Sequence, residues 1–172
     1  MQQNLGQYLT KRAQISPDLE ALVEVELDKR FTYKALNERC NRIARVLLDQ
    51  GVKQGDRVAF LLMNGVEYIE AYYAIAKIGA VMVPLNWRLV PDELAFILKD
   101  SGSTVMIYDK EFDQAIQTLR ELETDLATYI RVGEAQDTPA FALHYDGECS
   151  TSSCEEPELV GGGEDLLFIM YT

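Results

Sequence analysis

The fold is decided by residues 58–84, whose sequence is V-A-F-L-L-M-N-G-V-E-Y-I-E-A-Y-Y-A-I-A-K-I-G-A-V-M-V-P. Residues 58–62 are continuously apolar, as is typical of a strand covered on both faces of a parallel sheet. Residues 66–78 are apolar on nearly all sides, which predicts a helix buried between layers. Residues 81–83 predict a second buried strand, which ends at Pro84. Because a helix that joins parallel strands makes a right-handed crossover, this stretch predicts one unit of an α/β fold.

Residues that favour helix ends separate the predicted elements. We expect Asn64 to cap the helix over 66–78 and Gly79 to end it. Upstream, the hydroxyl of Thr32 offers an N-cap to a long helix that closes at Gly51, where a left-handed residue is favoured. The apolar positions of that long helix recur at the 3.6-residue period and predict one buried face, formed by Leu36, Cys40, Ile43, Ala44 and Leu47.

The rest of the chain continues the alternation of helices and strands. Pro91 suits the first position of a helix. Further helices are predicted over residues 5–13, 92–99 and 112–122, and further strands over residues 21–25, 30–32, 104–108 and 129–132. This alternation predicts an α/β fold of the doubly wound type, with a mostly parallel sheet flanked by helices.

Charge is distributed unevenly along the chain, whose formal net charge is −12. The first 131 residues carry 16 basic and 19 acidic side chains, whereas residues 132–172 carry nine acidic side chains and neither lysine nor arginine. We therefore divide the chain into an α/β subdomain over 1–133, an acidic flexible loop or linker over 134–163 and a final strand over 164–172. One short strand is predicted inside the linker, at 141–145.

The composition excludes several classes of protein. With 172 residues, of which 48% are hydrophobic, the chain can bury the core of one ordinary globular domain. No apolar run approaches the roughly 18 residues that a membrane span requires. The negative charge repels phosphate backbones and argues against nucleic-acid binding. An N-terminus with neither a basic start nor an apolar stretch favours the cytoplasm, and an odd number of cysteines argues against a disulfide scaffold.

Two polar motifs have both a chemical and a structural interpretation. The glycines at 161–163 could form a phosphate loop, but they precede a strand instead of following one, so a flexible linker is favoured. His144, Cys149 and Cys154 lack the close cysteine pair and the fourth ligand of a zinc site, so free thiols in a loop are favoured. We therefore predict no metal ligand and no catalytic residue from these motifs.

The long helix also presents a basic face, formed by Lys34, Arg39, Arg42 and Arg45. A solvated surface is the favoured interpretation of such a charged face. The alternative is that these cations dock against an acidic neighbouring domain.

Four stretches carry a family signature in their order and spacing. They are F-T-Y-K-A-L at 31–36, which opens a helix ending in Q-G-V-K-Q-G-D-R-V-A at 50–59, then residues 63–86, E-L-A-F-I-L-K-D-S at 93–101 and D-L-L-F-I-M-Y-T at 165–172. Together they resemble the N-terminal part of the adenylate-forming enzymes, which include acyl-CoA synthetases, luciferases and peptide-synthetase adenylation domains. The P-L-N at 84–86 is more similar to the CoA ligases of this superfamily.

The resemblance implies an AMP-forming acyl-CoA synthetase. Such an enzyme uses ATP and Mg²⁺ to convert a carboxylic acid, here a fatty or aryl acid, into an acyl-AMP, and then transfers the acyl group to CoA. The final strand of the family runs into a phosphate loop, so Thr172 is implied to be the first residue of the ATP site. Arg88 matches an arginine that some CoA ligases direct at the phosphates of CoA; its alternative role is a surface salt bridge.

The same resemblance implies that this chain is a fragment. The remaining ATP site, the acyl pocket, the Mg²⁺-binding acid and the catalytic lysine of such enzymes all follow the position of Thr172. We therefore expect the chain alone to contain no catalytic residue, to hold no cofactor and to be inactive.

Two other interpretations stay open. One is a stand-alone scaffold or interaction module derived from such an enzyme. The other is an unrelated flavodoxin-like nucleotide binder, against which the absence of a glycine-rich strand-to-helix loop counts. Homo-oligomerisation is left open as well.

Overall fold

The computed structural model describes residues 4–25, 27–122 and 124–171. Its helices are α1 (Gly6–Ile15), α2 (Tyr33–Asp49), α3 (Val66–Lys77), α4 (Pro91–Ser101), α5 (Asp113–Leu119) and α6 (Tyr145–Thr151). Its strands are β1 (Glu20–Glu24), β2 (Lys29–Thr32), β3 (Arg57–Leu61), β4 (Val81–Pro84), β5 (Val105–Asp109), β6 (Thr128–Val132) and β7 (Leu143–His144). None of the helices in these ranges combines the length and apolarity needed to cross a membrane.

Five strands form a parallel sheet in the order β4-β3-β5-β6-β7. In its register, Val58 of β3 faces Met82 of β4 on one side and Val105 of β5 on the other. Helix α3 crosses from β3 to β4, and α4 then carries the chain back past β3 to β5. The predicted α/β fold, with a parallel sheet flanked by helices, is therefore confirmed.

The continuous apolarity of β3 reflects two cores, one on each face of the sheet. Val58 and Phe60 lie in a core shared with α2 and α3, whereas Ala59 and Leu61 lie in a core shared with α4 and α5. Successive side chains of a strand point to opposite faces. A central strand covered by helices on both faces therefore needs an apolar residue at every position.

The helix α2 follows the sequence prediction closely. The Thr32 hydroxyl accepts a hydrogen bond from the Ala35 amide at 3.2 Å, which is the expected N-cap. Cys40 is completely buried and packs as a small apolar residue. Before this helix, β1 and β2 form a separate antiparallel hairpin.

The predicted cap of α3 is wrong. The N-cap position is occupied by Gly65, and its backbone is extended, with φ of −173°. Asn64 therefore lies one residue before the position from which a side chain can accept the first free amides of the helix.

Residues 134–163, predicted as a flexible loop or linker with one short strand at 141–145, also contain a helix that was not predicted. Strand β7 pairs with β6 inside the predicted short strand, and helix α6 follows it directly. His144 caps α6, because its Nδ1 accepts a hydrogen bond from the Gly147 amide at 3.0 Å. Tyr145 is completely buried. This large aromatic side chain anchors the start of α6 in the core, a contribution that the acidic composition of the segment conceals.

The predicted final strand is reduced to one parallel bridge. Phe168 pairs with Met82 on the free side of β4. The Met82 amide donates to the Leu167 carbonyl, and the Ile169 amide donates to the Met82 carbonyl, both at 2.9 Å. Residues 166–171, called the terminal segment below, therefore extend the sheet edge. The division of the chain into the three predicted parts stays a prediction.

Gly79 joins α3 to β4 in a left-handed conformation, with φ of 68°. A Cβ atom on Gly79 would lie 3.0 Å from the carbonyl oxygen of Val160. Gly51, at the end of α2, also has a left-handed backbone, with φ of 84°, but a Cβ there would meet nothing within 4 Å. The two glycines thus share a left-handed backbone, which would strain any residue with a Cβ atom, and they differ in their surroundings.

This difference predicts unequal costs for two alanine substitutions. Gly51→Ala should lower the free energy of unfolding by about 1–2 kcal/mol, the cost of a left-handed non-glycine residue. Gly79→Ala should cost at least about 1 kcal/mol more, because the new methyl group also displaces the chain at Val160. Urea denaturation of both variants measures the difference. Equal losses would show that the segment around Val160 does not pack against this turn.

Candidate functional site

An open groove of about 510 Å³ lies at the carboxyl edge of the sheet. Its walls come from the loop after β4, from α4 and from the terminal segment, and its lining residues are Asn86, Leu89, Asp92, Glu93, Phe96, Ile97 and Tyr171. Phe96 is 65% exposed although it is a large apolar side chain. Ligand sites in open α/β sheets occur at this edge, so the groove is the first candidate site.

The parallel pairing of β4 and the terminal segment builds this groove. Both segments run towards the same edge, so the residues that follow β4 lie beside Tyr171. Pro91 starts α4 at the edge of the groove, and the Glu93 carboxylate accepts a hydrogen bond from the Val90 amide at 3.1 Å. This contact fixes the α4 end of the loop between β4 and α4, and the hydrogen bond from the Leu85 amide to the Phe60 carbonyl, at 3.0 Å, fixes its β4 end.

Arg88 lies on that loop and is exposed to solvent. Its amide donates to Asn86 Oδ1 at 3.1 Å, and its guanidinium carbon lies 4.7 Å from the centre of the Trp87 ring. Within the described ranges, no carboxylate lies within 4 Å of the guanidinium nitrogens. The surface salt bridge expected as the alternative role of Arg88 is absent from these ranges. Stacking on Trp87 leaves the donors of the guanidinium edge available to an anion.

Thr172, the other predicted site residue, lies outside the described residues. The preceding residue, Tyr171, donates from its hydroxyl to Asp100 Oδ2 at 2.7 Å. Burial and the neighbouring carboxylate of Asp100 together raise the pKa of Tyr171. This hydrogen bond attaches the end of the terminal segment to α4.

The groove combines an apolar wall with fixed charges. Asp92 and Glu93 contribute carboxylates to its lining, and Arg88 lies on the adjoining loop. The arrangement can hold an apolar group against Phe96 and Ile97 and can attract an anion to Arg88.

A second polar cluster lies between α2, α3 and α6. Glu70, only 1% exposed, forms an ion pair with Arg39 and accepts a hydrogen bond from the Tyr145 hydroxyl at 2.7 Å. Burial opposes the charge of Arg39, but the Glu70 carboxylate outweighs it and raises the pKa of the guanidinium. Burial, aided by Glu70, raises the pKa of Tyr145 well above its usual range. The cluster is fully paired and fastens α6 to the core.

The cations of α2 hold the acidic segment by its backbone. Arg42 donates to the Ser152 carbonyl at 2.9 Å, and Arg45 donates to the Glu156 carbonyl at 3.3 Å. Of the four residues of the predicted basic face, Lys34 is exposed and the three arginines are partly buried. The favoured interpretation of this face as a solvated surface is therefore wrong for the three arginines. Arg42 and Arg45 dock against a later, acidic segment of the same chain, whereas Arg39 pairs with Glu70 of α3.

The residues considered for zinc binding do not form a metal site. The His144 nitrogens are occupied by the Gly133 carbonyl, at 2.8 Å, and by the Gly147 amide. Across the described ranges, no group of three His, Cys, Asp or Glu side chains could hold a metal ion. All three cysteines are free thiols.

Comparison with known proteins identifies the family. A sequence model described as "AMP-binding enzyme" matches residues 9–172. The chain belongs to this family. The resemblance to adenylate-forming enzymes is thereby confirmed for almost the whole chain.

Relatives of this chain include acid–CoA ligases. Long-chain-fatty-acid–CoA ligase FadD13 of Mycobacterium tuberculosis is 41% identical over 98% of the chain, and feruloyl-CoA synthase of an Amycolatopsis species is 35% identical over 99%. The structure of the N-terminal domain of FACL13 from M. tuberculosis matches 99% of the chain with a TM-score of 0.89 and 39% identity, and the match covers 42% of that structure. The chain spans only 32% and 31% of the two ligases. Its predicted similarity to the N-terminal part of such enzymes is confirmed.

Sequence reasoning missed the buried charges of α3. Glu70 and Lys77 are 1% and 0% exposed, respectively. Both occur in a helix that was predicted to be buried on nearly all sides, and a charged residue at such a position requires a partner. The presence of charged residues in a helix predicted to be buried was therefore a sign of buried ion pairs, although it identifies the partner of neither residue.

The thiol of Cys149 lies beside Glu70, Arg39 and Arg42 in a pocket of about 280 Å³. Burial, followed by the charge of Glu70, raises the pKa of this thiol to about 12. Because the thiolate is the reactive form, we expect Cys149 to be alkylated by iodoacetamide at pH 8 at least about 100-fold more slowly in the folded chain than in urea. Mass spectrometry of the modified peptides measures the two rates. Similar rates in both states would contradict the burial of this thiol.

Proposed function

We propose that the chain is the N-terminal part of an AMP-forming acyl-CoA synthetase. In the first step of this reaction, a carboxylate attacks the α-phosphate of ATP and pyrophosphate leaves; in the second, the CoA thiol displaces AMP. The observation that carries the proposal is the family match over residues 9–172, together with the groove at the carboxyl edge of the sheet. We propose the cytoplasm as its location.

The substrate is proposed to be a fatty or aryl carboxylic acid. The names of two relatives support this range, since one is a long-chain-fatty-acid ligase and the other a feruloyl-CoA synthase. The groove lining does not choose between these acids, because its apolar residues suit both an alkyl chain and a ring.

ATP and Mg²⁺ are proposed as requirements of the whole enzyme. The described residues provide no cluster that fits Mg²⁺, so the metal ligands would come from outside the described part of the chain. Thr172 is proposed to begin the phosphate loop. The role of this chain in the first step is then to support that loop on the terminal segment, which β4 holds by two backbone hydrogen bonds.

Arg88 is proposed to bind the phosphates of CoA. The support is its exposure, its lack of a carboxylate within 4 Å in the described ranges and its stacking on Trp87. A planar guanidinium presents donors in the fork geometry that phosphate oxygens accept.

The proposed activity is tested with the full-length protein that contains this chain. Pyrophosphate release and thioester formation are measured with ATP, Mg²⁺ and CoA, using a long-chain fatty acid and ferulate in parallel. We expect pyrophosphate release that depends on one of the acids. No acid-dependent release with any carboxylate would support the alternative of a scaffold module.

Arg88→Ala should impair only the second step in the full-length enzyme. Loss of a charge-assisted contact worth about 1.5–3 kcal/mol should raise the KM for CoA by about tenfold or more. Pyrophosphate release should stay near the wild-type rate, since CoA enters after the acyl-AMP has formed. Arg88→Lys should recover part of the loss, because it keeps the charge without the planar fork. Equal losses in both steps would show that Arg88 supports the fold instead.

A further inference from the structure

Lys77, the last residue of α3, is completely buried. Its ammonium group donates to Thr10 Oγ1 of α1 and to Asn37 Oδ1 of α2, both at 2.8 Å. It also forms an ion pair with the carboxylate of Glu156. Burial lowers the pKa of Lys77, against the opposing effect of Glu156. The last turn of α3 is therefore joined to three other parts of the chain by one charged group.

The Glu156 carboxylate receives four donors. Lys77 and Thr10 donate to Oε1, whereas Asn37 and Asn41 donate to Oε2 at 3.0 and 3.1 Å. Burial would raise the pKa of Glu156, but the hydrogen bonds from Lys77, Thr10 and Asn37 outweigh it and lower the pKa. Only an ionised carboxylate offers two acceptor oxygens to these donors, because an amide has one acceptor and would place an NH₂ group against the other pair.

Glu156 belongs to residues 152–165, called the strap below, which run across α2 and the end of α3. Arg42 and Asn41 hold the carbonyls of Ser152 and Cys154, each at 2.9 Å. The Val160 amide donates to the Lys77 carbonyl at 3.2 Å. Lys77 therefore binds the strap twice, through its side chain and through its backbone.

The strap then leads into the terminal segment through a compact turn. Gly161 has φ of 88°, and the Asp165 carboxylate accepts hydrogen bonds from the Gly162 amide at 2.8 Å and from Gln54 Nε2 at 3.1 Å. Immediately afterwards, Leu167 and Ile169 bond to Met82. Residues 77–82 therefore contact the strap and the terminal segment in sequence order: the strap lies against Lys77 and Gly79, and the terminal segment lies against Met82.

We propose that Glu156 is a positioning residue for the ATP-dependent step. By anchoring the strap to Lys77, it sets the register in which the terminal segment lies against β4, and hence the position from which Thr172 begins the phosphate loop. This inference rests on the proposed function. It assigns to the acidic segment a task in catalysis that is distinct from the CoA contact of Arg88.

The chain offers a matched control for this ion pair. Arg131, whose side chain is 3% exposed, pairs with the 36% exposed carboxylate of Asp113, much as the 0% exposed Lys77 pairs with the 31% exposed Glu156. The control pair joins α5 to β6 and has no contact with the strap. Glu156→Gln and Asp113→Asn therefore make the same chemical change in two similar pairs, of which only one holds the strap.

The kinetic test separates the two half-reactions of the full-length enzyme. In Glu156→Gln, kcat/KM for ATP in pyrophosphate release should fall about 10–100-fold, as expected when a reacting group is displaced by about 1 Å. Thioester formation from supplied acyl-AMP and CoA should change less than about threefold, within the usual context dependence. Asp113→Asn should affect both half-reactions to the same extent. Equal losses in both half-reactions of Glu156→Gln would overturn the positioning role.

Hydrogen exchange tests the structural part without any activity, in the chain of 172 residues. In Glu156→Gln, the Val160 and Ile169 amides should exchange at least about tenfold faster, because local opening controls their protection. The Leu85 amide, which donates to Phe60 inside the sheet, should keep its rate. Unchanged rates at Val160 and Ile169 would overturn the proposal. A full-length wild-type enzyme without acid-dependent pyrophosphate release would refute the proposed function. The exchange rates do not depend on activity, so they test the anchoring of the strap separately.

Asn41→Ala provides a second, milder variant in case Glu156→Gln fails to fold. It removes one donor to the Glu156 carboxylate and the hydrogen bond to the Cys154 carbonyl, and it leaves the ion pair in place. We expect a smaller acceleration of Val160 and Ile169 exchange and a smaller loss of pyrophosphate release than in Glu156→Gln. Wild-type values in both measurements would contradict the role of the strap.

Discussion

The burial of one ammonium group, that of Lys77, constrains much of this structure. A charge removed from water must be paired and hydrogen-bonded, and breaking such a pair is far more costly than never forming it. The partners of Lys77 come from α1, from α2 and from the strap, so these segments have to assemble around the end of α3. The stretch from Lys77 to Met82 consequently carries the turn at Gly79, the start of β4 and the contacts of the strap.

This constraint connects the acidic segment to the sheet edge. Glu156 neutralises a buried cation, and the arginines of α2 bind the carbonyls of the same segment. An acidic stretch that would repel itself in water is therefore ordered by cations that lie earlier in the chain. Its far end delivers the terminal segment to β4, beside the loop that carries Arg88. The groove at the carboxyl edge is lined by the terminal segment and by this loop, so it depends on the position of each.

The sequence predicted what local patterns determine. Hydrophobic periodicity located α2, α3 and the central strands. The Thr32 cap could also be predicted, because an N-cap hydroxyl accepts from an amide only three residues later in the sequence. The order of residues 134–163 could not be predicted in this way, because its partners are remote. Glu156 and Lys77 are separated by 79 positions, and Tyr145 and Glu70 by 75. For the candidate site, the CoA contact predicted for Arg88 stays a prediction, and the wall formed by Tyr171 depends on strand pairing that no local pattern specifies.

The central claim, that Lys77 is a charged group sealed into the core by Glu156, is tested most directly by NMR of its side-chain nitrogen. At neutral pH, we expect the ¹⁵N resonance of a charged ammonium group whose protons exchange with water far more slowly than those of the exposed Lys34. In Glu156→Gln, this protection should be lost. A neutral amine, or proton exchange as fast as that of Lys34 in the wild-type chain, would contradict the account.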